Sequence, residues 1–265
     1  MRHRLALSAL SALSAPSALF AQSPHDAQPE RPTVATHAGT VAPGWLELET
    51  GAEYDRFSDA THALVGPVLF KLGVAKRVQL SLSVPWAKPA GSDVGFADLS
   101  AGLKIRLLDQ GFLGRFAVLP SIKFPTGSAS ANRGTGTTDV SLLLVSSHLL
   151  GPVSMDLNAG VTRRSGDGSG APRTATVWAA SFGGPARGPL GWVFEVFGYP
   201  KTTGPSGSAS TAALLGGPTY KVASWLVLDA GGIVSLTGPQ PNAIYAGLTW
   251  NIGRYWGGRR LSPSP

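Results

Sequence analysis

The sequence contains no cysteine, which excludes disulfides, thiolate metal sites and cysteine nucleophiles. Only 14 % of its 265 residues are charged, against roughly 25 % in a typical soluble domain. After the first 21 positions no run of about 18 apolar residues occurs, so the sequence predicts no transmembrane helix. Glycine and proline are abundant, yet 43 % of the residues are hydrophobic, which is not the composition of a disordered chain.

Residues 1–21 are predicted to be a signal peptide. Arg2, His3 and Arg4 form a basic start, residues 5–20 are apolar and rich in small residues, and cleavage would follow Ala21. The alternative is an amphipathic helix. Residues 22–43, with four prolines, are predicted to be a loosely ordered polar lead-in. An exported chain of this kind would be periplasmic, secreted, or held in a membrane without helices.

From Gly44 onward the hydrophobic pattern has a period of two, which is typical of strands with one apolar and one polar face. Val78, Leu80 and Leu82, for example, alternate with Gln79 and Ser81. Most of the segments are ten to thirteen residues long, close to the 9–11 or so of a transmembrane strand. The predicted strands lie near 44–54, 62–73, 76–86, 95–108, 113–125, 138–149, 152–162, 173–183, 190–199, 209–221, 224–236 and 243–252.

The connections between these segments mostly alternate between long and short, as they do in outer-membrane barrels. In lipid only a closed barrel gives every strand edge a partner. The sequence therefore predicts an all-β protein, a transmembrane antiparallel β-barrel of about 12 strands over residues 44–252. A basic C-terminal tail, 253–265, would follow. The predicted location is the outer membrane of a Gram-negative cell, reached through the periplasm.

In such a barrel the apolar faces contact lipid and the polar faces line the lumen. A charge facing lipid at the midplane would cost roughly 2–4 kcal/mol. Some inward positions are apolar instead, among them Val145, Phe197 and Ile233, which indicates a hydrophobic section of the lumen or a register error. The charged lining could select solutes, or it could pair into a plug. Its predicted members are Glu47, Glu49, Asp98, Lys104, Arg106, Lys123, Asp139, Asp156, Glu195 and Asp229.

Three stretches carry a family resemblance: FADLSAGLKIRLLDQG (96–111), LPSIKFPTGSAS (119–130) and TTDVSLLL (137–144). In this order and spacing they resemble the bacterial outer-membrane family named for the meta-pathway of phenol degradation. The segments 217–238 and 243–253 resemble that family's last two hairpins. The resemblance implies an outer-membrane barrel, often called a transporter, and no catalytic residues are carried over. The basic tail departs from the aromatic C-terminus that is usual in such barrels.

The sequence KFPTG, residues 123–127, has a lysine and glycine but not the order of a phosphate-binding loop, and no helix follows it. Pro125 is instead predicted to end a strand and Lys123 to face the lumen. Ser146, Ser147 and His148 are the only residues that suggest a surface hydrolase, and no orienting third group is visible. The sequence therefore predicts no enzyme and no cofactor. No basic run indicates nucleic acid.

The function predicted first is passive passage of small, aromatic or apolar molecules across the outer membrane. The alternative is a structural or ligand-binding barrel with a plugged lumen. A porin-like channel of twelve strands would have a narrow lumen. Its width would lie between that of eight-stranded barrels, which side chains fill, and that of 16–18-stranded barrels, which enclose an open channel. Expected partners are outer-membrane lipid, lipopolysaccharide and a small apolar or aromatic solute. The loop cations expected to face lipopolysaccharide are Arg133, Arg163, Arg164, Arg173 and Lys201.

Overall fold

A computed structural model describes residues 23–167 and 172–256, and every part of it that has regular structure is a β-strand. Within these residues no helix is long and apolar enough to cross a membrane. The strands are β1 (Trp45–Arg56), β2 (His62–Gly66), β3 (Val68–Ala75), β4 (Val78–Ser83), β5 (Trp86–Lys88), β6 (Gly95–Phe96), β7 (Leu99–Leu108), β8 (Arg115–Phe124), β9 (Asp139–Leu150), β10 (Val153–Arg164), β11 (Thr174–Arg187), β12 (Leu190–Tyr199), β13 (Thr211–Ala223), β14 (Leu226–Thr237) and β15 (Asn242–Arg254).

Each strand pairs antiparallel with its neighbours, and β15 pairs with β1 from Trp45↔Arg254 to Arg56↔Asn242. The result is a closed antiparallel barrel of 12 strands, as the sequence predicted. Three barrel strands are interrupted, so that β2 continues into β3, β4 into β5 and β6 into β7. Two of the interruptions contain Pro67 and Pro85, because proline cannot donate to a ladder.

Side chains on the outside of the barrel are apolar and exposed. On β9, Val140, Leu142 and Leu144 are each more than 40 % exposed, while Asp139 and Val145 on the opposite face are buried. This arrangement is inverted relative to a soluble protein, whose exposed apolar patches are small. The outer surface is therefore suited to a hydrocarbon environment, and the inner surface holds the polar groups.

The two ends of the barrel differ in the length of their connections. At the end that we call the short-turn end, the connections are residues 76–77, 109–114, 151–152, 188–189 and 224–225. At the opposite, long-loop end they are residues 57–61, 89–94, 125–138, 165–173, 200–210 and 238–241. The connection between β11 and β12 is a two-residue turn, because β11 continues to Arg187.

The predicted loosely ordered lead-in is instead a defined part of the fold. Residues 23–43, the N-terminal segment, run inside the lumen, and Ala35, Ala38 and Val41 are at most 2 % exposed. The expectation of loose order was wrong because the barrel wall supplies hydrogen-bond partners that local sequence does not reveal. The predicted signal peptide, 1–21, and residues 257–265 of the predicted tail lie outside the described residues. β15 extends to Arg254, two residues beyond the predicted end of the barrel.

Candidate functional site

The N-terminal segment enters the lumen at the short-turn end, where the Ala27 amide donates to the Ser224 carbonyl. It rises to the middle of the barrel, crosses it, and returns to the same end, where Thr40 Oγ1 lies 3.5 Å from the Lys76 carbonyl. It then leads into β1 beside Gly73. The segment is thus a loop folded into the lumen, with both of its ends at the short-turn end.

Wall side chains accept hydrogen bonds from the backbone amides of this loop. Buried backbone donors need partners, and the segment has no neighbouring strand along most of its course to supply them. Its prolines, which have no N–H, reduce the number of donors to be satisfied. The acceptors are Glu47 for Gln28 (2.8 Å), Glu49 for Glu30 (2.7 Å), Glu195 for Val34 and Ala35 (2.9 and 2.8 Å), Asn158 for Thr36 (2.9 Å), Ser147 for Ala38 (2.8 Å) and Gln79 for Val41 (2.9 Å).

Two fully buried lysines neutralise the carboxylates at the centre of the lumen. Lys71 Nζ lies 2.6 Å from carboxylate oxygens of both Glu47 and Glu49. Lys104 Nζ lies 2.5 Å from Glu30 of the N-terminal segment and donates to the Thr36 hydroxyl and the His37 carbonyl. Such charges are tolerated away from water only when they are paired and hydrogen-bonded. The ionic cluster therefore joins the segment to β1, β3 and β7.

Charge states within the segment are fixed by the same cluster. Burial alone would raise the pKa of the Glu30 carboxyl, but attraction to Lys104 and Lys71 outweighs burial and holds that pKa well below its ordinary value. Burial, and then repulsion from Lys104, lower the pKa of His37 to about 3. At neutral pH the segment therefore presents an ionised Glu30 and a neutral His37 to the wall.

Arg31 makes a second ionic contact across the closing seam of the barrel. Its Nε and Nη2 atoms donate to the two oxygens of Asp229 at 2.9 and 3.0 Å. The guanidinium lies against Gly51 and Gly247, which face each other between β1 and β15. A Cβ on Gly247 would come within 2.4 Å of the Arg31 Cζ. A side chain at this position would displace the guanidinium, because the arginine approaches the strand backbone directly.

Apolar groups of the segment pack on hydrophobic parts of the wall. Ala35 belongs to a buried cluster with Phe197, Leu215, Ile233 and Tyr245, contributed by strands β12 to β15. Ala38 packs separately with Ala117 and Val145, on β8 and β9. The inward apolar positions noted in the sequence are therefore a hydrophobic section of the lumen and not a register error.

KFPTG forms part of a polar cluster at the long-loop end. Lys123 Nζ lies 2.5 Å from Asp98 and 3.5 Å from Asp139, and it also donates to Thr135 and the Thr137 carbonyl. Asp98 in turn accepts from the amides of Gly127 and Thr135. Strand β8 ends at Phe124, immediately before Pro125, as predicted. These contacts hold the loop 125–138 against the strand ends. The role of Lys123 in them is therefore structural.

Replacing Lys123 with methionine is expected to release this loop, because Asp98 and Asp139 would lose their shared cation. An unpaired buried polar group costs about 1–3 kcal/mol. We expect trypsin to cleave the folded variant after Arg133 much faster than it cleaves the parent protein. Lys201→Met, on another long loop, is the matched control and should leave the cleavage rate at Arg133 unchanged. Equal rates for K123M and the parent would contradict the assigned contacts.

The structure places the ten predicted lining residues in three groups, and seven of the ten are buried. Glu47, Glu49, Lys104, Glu195 and Asp229 contact the N-terminal segment. Asp98, Lys123 and Asp139 form the cluster at the long-loop end. Arg106 pairs with Asp109 at the short-turn end, and Asp156 accepts from Ser147 nearby. Their role in selecting solutes stays a prediction.

Sequence reasoning missed several partners of these residues. Lys71 and Gln79 occupy inward positions on β3 and β4, and their polarity within apolar strands was the available signal. Glu30 and Arg31 could not be assigned from the sequence, because nothing in a proline-rich stretch indicates that it enters a lumen.

The suspected hydrolase residues do lie together, but their hydrogen bonds do not favour nucleophilic chemistry. Ser146 Oγ is 2.8 Å from His148 Nε2 and donates its proton to the Leu113 carbonyl at 2.7 Å. His148 must then donate to the serine, which is the opposite of general-base activation. Within the described residues no group of three or more histidine, aspartate or glutamate side chains could hold a metal ion.

The sequence profile described as "Putative MetA-pathway of phenol degradation" matches residues 30–253. Among curated proteins, none matches the sequence significantly. Among solved structures, the chain is similar to the COG4313 outer membrane channel from Pseudomonas putida F1, with a TM-score of 0.62 and 14 % identity over 80 % of this chain and 97 % of that one. It is also similar to the KdgM porin, with a TM-score of 0.51 and 11 % identity over 78 % and 99 %. At these identities the likeness establishes the fold, which is that of outer-membrane channels and porins.

Proposed function

Because the chain belongs to the family of the MetA-pathway of phenol degradation, we propose that it is an outer-membrane channel for passive passage of small apolar or aromatic molecules. It would reach the outer membrane of a Gram-negative cell by export through the periplasm. The N-terminal segment would control passage, since this segment occupies the middle of the lumen.

The observation that carries the proposal is the apolar cluster between the segment and one side of the wall. Phe197, Ile233 and Tyr245 form a hydrophobic strip that faces Ala35. Displacement of the segment from this strip, with loss of its contacts to Glu195 and Asp229 on the same side, would open an apolar route. Desolvation along such a route would cost apolar solutes little free energy. Polar solutes would lose their hydrogen bonds to water and find no replacements there.

The segment also separates two cavities. One, of about 340 Å³, is lined by residues 30–34 together with Glu53, Leu69 and Tyr245, towards the long loops. The other, of about 520 Å³, is lined by Gln28, Pro29 and His37 at the short-turn end. The segment is held by hydrogen bonds and ion pairs and not by a continuous ladder, so its release requires breaking discrete contacts.

The alternative function is a barrel that is permanently plugged, and the ionic cluster of Lys71, Lys104 and three glutamates favours it. Both functions agree with a filled lumen at rest. They differ in whether the segment moves, so the decisive experiment holds the segment in place covalently.

The test uses porin-deficient Gram-negative cells that contain an enzyme consuming phenol, so that entry through the outer membrane limits the rate. Expression of the chain should raise phenol consumption severalfold. A variant with Ala38→Cys and Ser147→Cys should give no increase when oxidised, since the Ala38 amide lies 2.8 Å from Ser147 Oγ. Reduction should restore the increase. The chain has no native cysteine to interfere.

The matched control is the single variant Ser147→Cys, which should remain active under both redox conditions. An oxidised double variant that passes phenol as fast as the parent would show that the segment does not control entry. No increase with any variant, from a barrel whose gel mobility still changes on heating, would support the plugged alternative.

The loop cations belong to the same proposal as contacts for lipopolysaccharide. Arg163, Arg173 and Lys201 are exposed at the long-loop end, where anionic lipid would lie. Arg133 donates to the Asp93 carbonyl, and Arg164 pairs with Asp139 and donates to the Pro172 carbonyl. Arg163 donates to the Thr174 hydroxyl but stays exposed. The three exposed cations are therefore the ones proposed to bind phosphate groups.

A further inference from the structure

Arg115 lies on an inward row of polar residues at the short-turn end. It begins β8, two positions before Ala117, which is fully buried on the inner face. In the barrel register Arg115 faces Ser147 on β9, and Ser147 faces Asp156 on β10. The three side chains therefore stand side by side on adjacent strands, at one level of the lumen.

The guanidinium of Arg115 differs from Lys71, Lys104 and Arg31 in having no hydrogen bond or ion pair with any described residue. Its Nε–H is buried and donates to no acceptor among the described residues. Lys71, Lys104 and Arg31, by contrast, each contact a carboxylate at 2.9 Å or less. Asp156 interacts with Arg115 only electrostatically, and its carboxylate accepts from Ser147. An unsatisfied buried donor costs about 1–3 kcal/mol, so a ligand that accepts from it would be stabilised.

The cavity that Arg115 lines has the size and composition of a ligand site. Its volume is about 520 Å³, within the range of about 300–1,000 Å³ for small-molecule pockets. Leu149, Leu150 and Pro29 give it an apolar wall, while His37 and His148 provide imidazoles beside the arginine. Leu149 is 71 % exposed, so it offers uncovered apolar surface to a bound molecule.

The rim around this cavity is positive. Two carboxylates also line the cavity, but Asp109 is already paired with Arg77 and Arg106, and Asp156 accepts from Ser147. Cations predominate at the strand ends and turns of the short-turn end, and they include Lys76, Arg77, Arg187, Lys221 and Arg254. A concave site with a surplus of one sign of charge concentrates ions of the opposite sign. The rim therefore favours an anionic ligand over a neutral or cationic one.

We propose that this cavity binds a small organic anion. Its carboxylate would accept hydrogen bonds from the Arg115 guanidinium, and its apolar body would lie on Leu149 and Leu150. The planar guanidinium presents Nε–H and an adjacent Nη–H in parallel, which matches the two oxygens of a carboxylate. A phospholipid phosphate shares this acceptor chemistry, and the experiment separates the two sources. Binding here does not depend on whether solutes cross the barrel.

The experiment titrates the refolded full chain, in zwitterionic micelles, with benzoate and with its neutral isostere benzamide. The readout is the NMR signals of the histidine rings. Benzoate should shift the signals of His37 and His148, which line the cavity, and leave that of His62 on β2 unchanged. Benzamide should bind at least tenfold more weakly. R115Q should weaken benzoate binding at least tenfold. R115K keeps the charge but lacks the two parallel N–H donors, so its affinity should lie between those of the parent and R115Q.

The matched control is K221Q, which removes one cation from the same rim outside the cavity and should retain the benzoate affinity. R115Q is expected to fold, since the side chain of Arg115 makes no hydrogen bond or ion pair within the described residues, and gel mobility on heating verifies this. The proposal is overturned by absent benzoate binding, by equal binding to R115Q, or by equal binding of benzamide. Loss of benzoate binding when phosphatidylglycerol replaces phosphatidylcholine in the micelles would assign the site to a lipid headgroup and also overturn it.

Discussion

Deletion of residues 28–41 is expected to raise the single-channel conductance of the barrel in a planar bilayer by about an order of magnitude, because a twelve-stranded lumen without its filling lies between closed and wide barrels. The deletion should not strain the chain. The ring centroids of His25 and Trp45 lie 4.8 Å apart, so the two ends of the N-terminal segment are close together.

The ion selectivity of this deletion variant gives a second readout. With the segment gone, the wall keeps Glu47, Glu49, Glu195 and Asp229 against Lys71 and Lys104. The open lumen should therefore prefer cations. Glu195→Gln in the deletion background should reduce the preference without changing the pore width. A conductance equal to that of the parent would mean that the segment is not the barrier to ions.

The second large effect is expected from Lys71→Met. The substitution leaves Glu47 and Glu49 buried without their shared cation, and both still receive amides from the segment. Breaking a buried ion pair by removing one partner costs about 3–5 kcal/mol. Unfolding in urea, followed by the loss of the heat-modifiable band, should shift to lower denaturant concentration by a corresponding amount.

Lys88→Met provides the matched control, since Lys88 is exposed on β5 and should tolerate the change. Combining Lys71→Met with Glu47→Gln and Glu49→Gln should recover part of the lost stability, because the neutral amides no longer require a cation. If K71M unfolds at the same urea concentration as K88M, the lysine does not hold the carboxylates together in the folded barrel.

The barrel itself could be predicted from the sequence, because its signal is local. Lipid outside and polar groups inside impose a period of two on every strand, and the alternation of Val140, Leu142 and Leu144 with inward residues shows it directly. The alternation of loop lengths could be predicted for a related reason. Successive antiparallel strands are joined by short turns at one end of the barrel and by longer loops at the other. The inward position of the ten predicted charges follows from the same period.

The tertiary structure alone decided what those charges contact. Residues 23–43 have no periodic pattern, and their path depends on acceptors such as Glu195 and Asn158, more than one hundred residues away. Closure of the barrel brings these acceptors around one lumen, and only then do the backbone amides of the segment find partners. The isolation of Arg115 is decided in the same way, because whether a charge is paired depends on what the whole barrel places within about 4 Å of it.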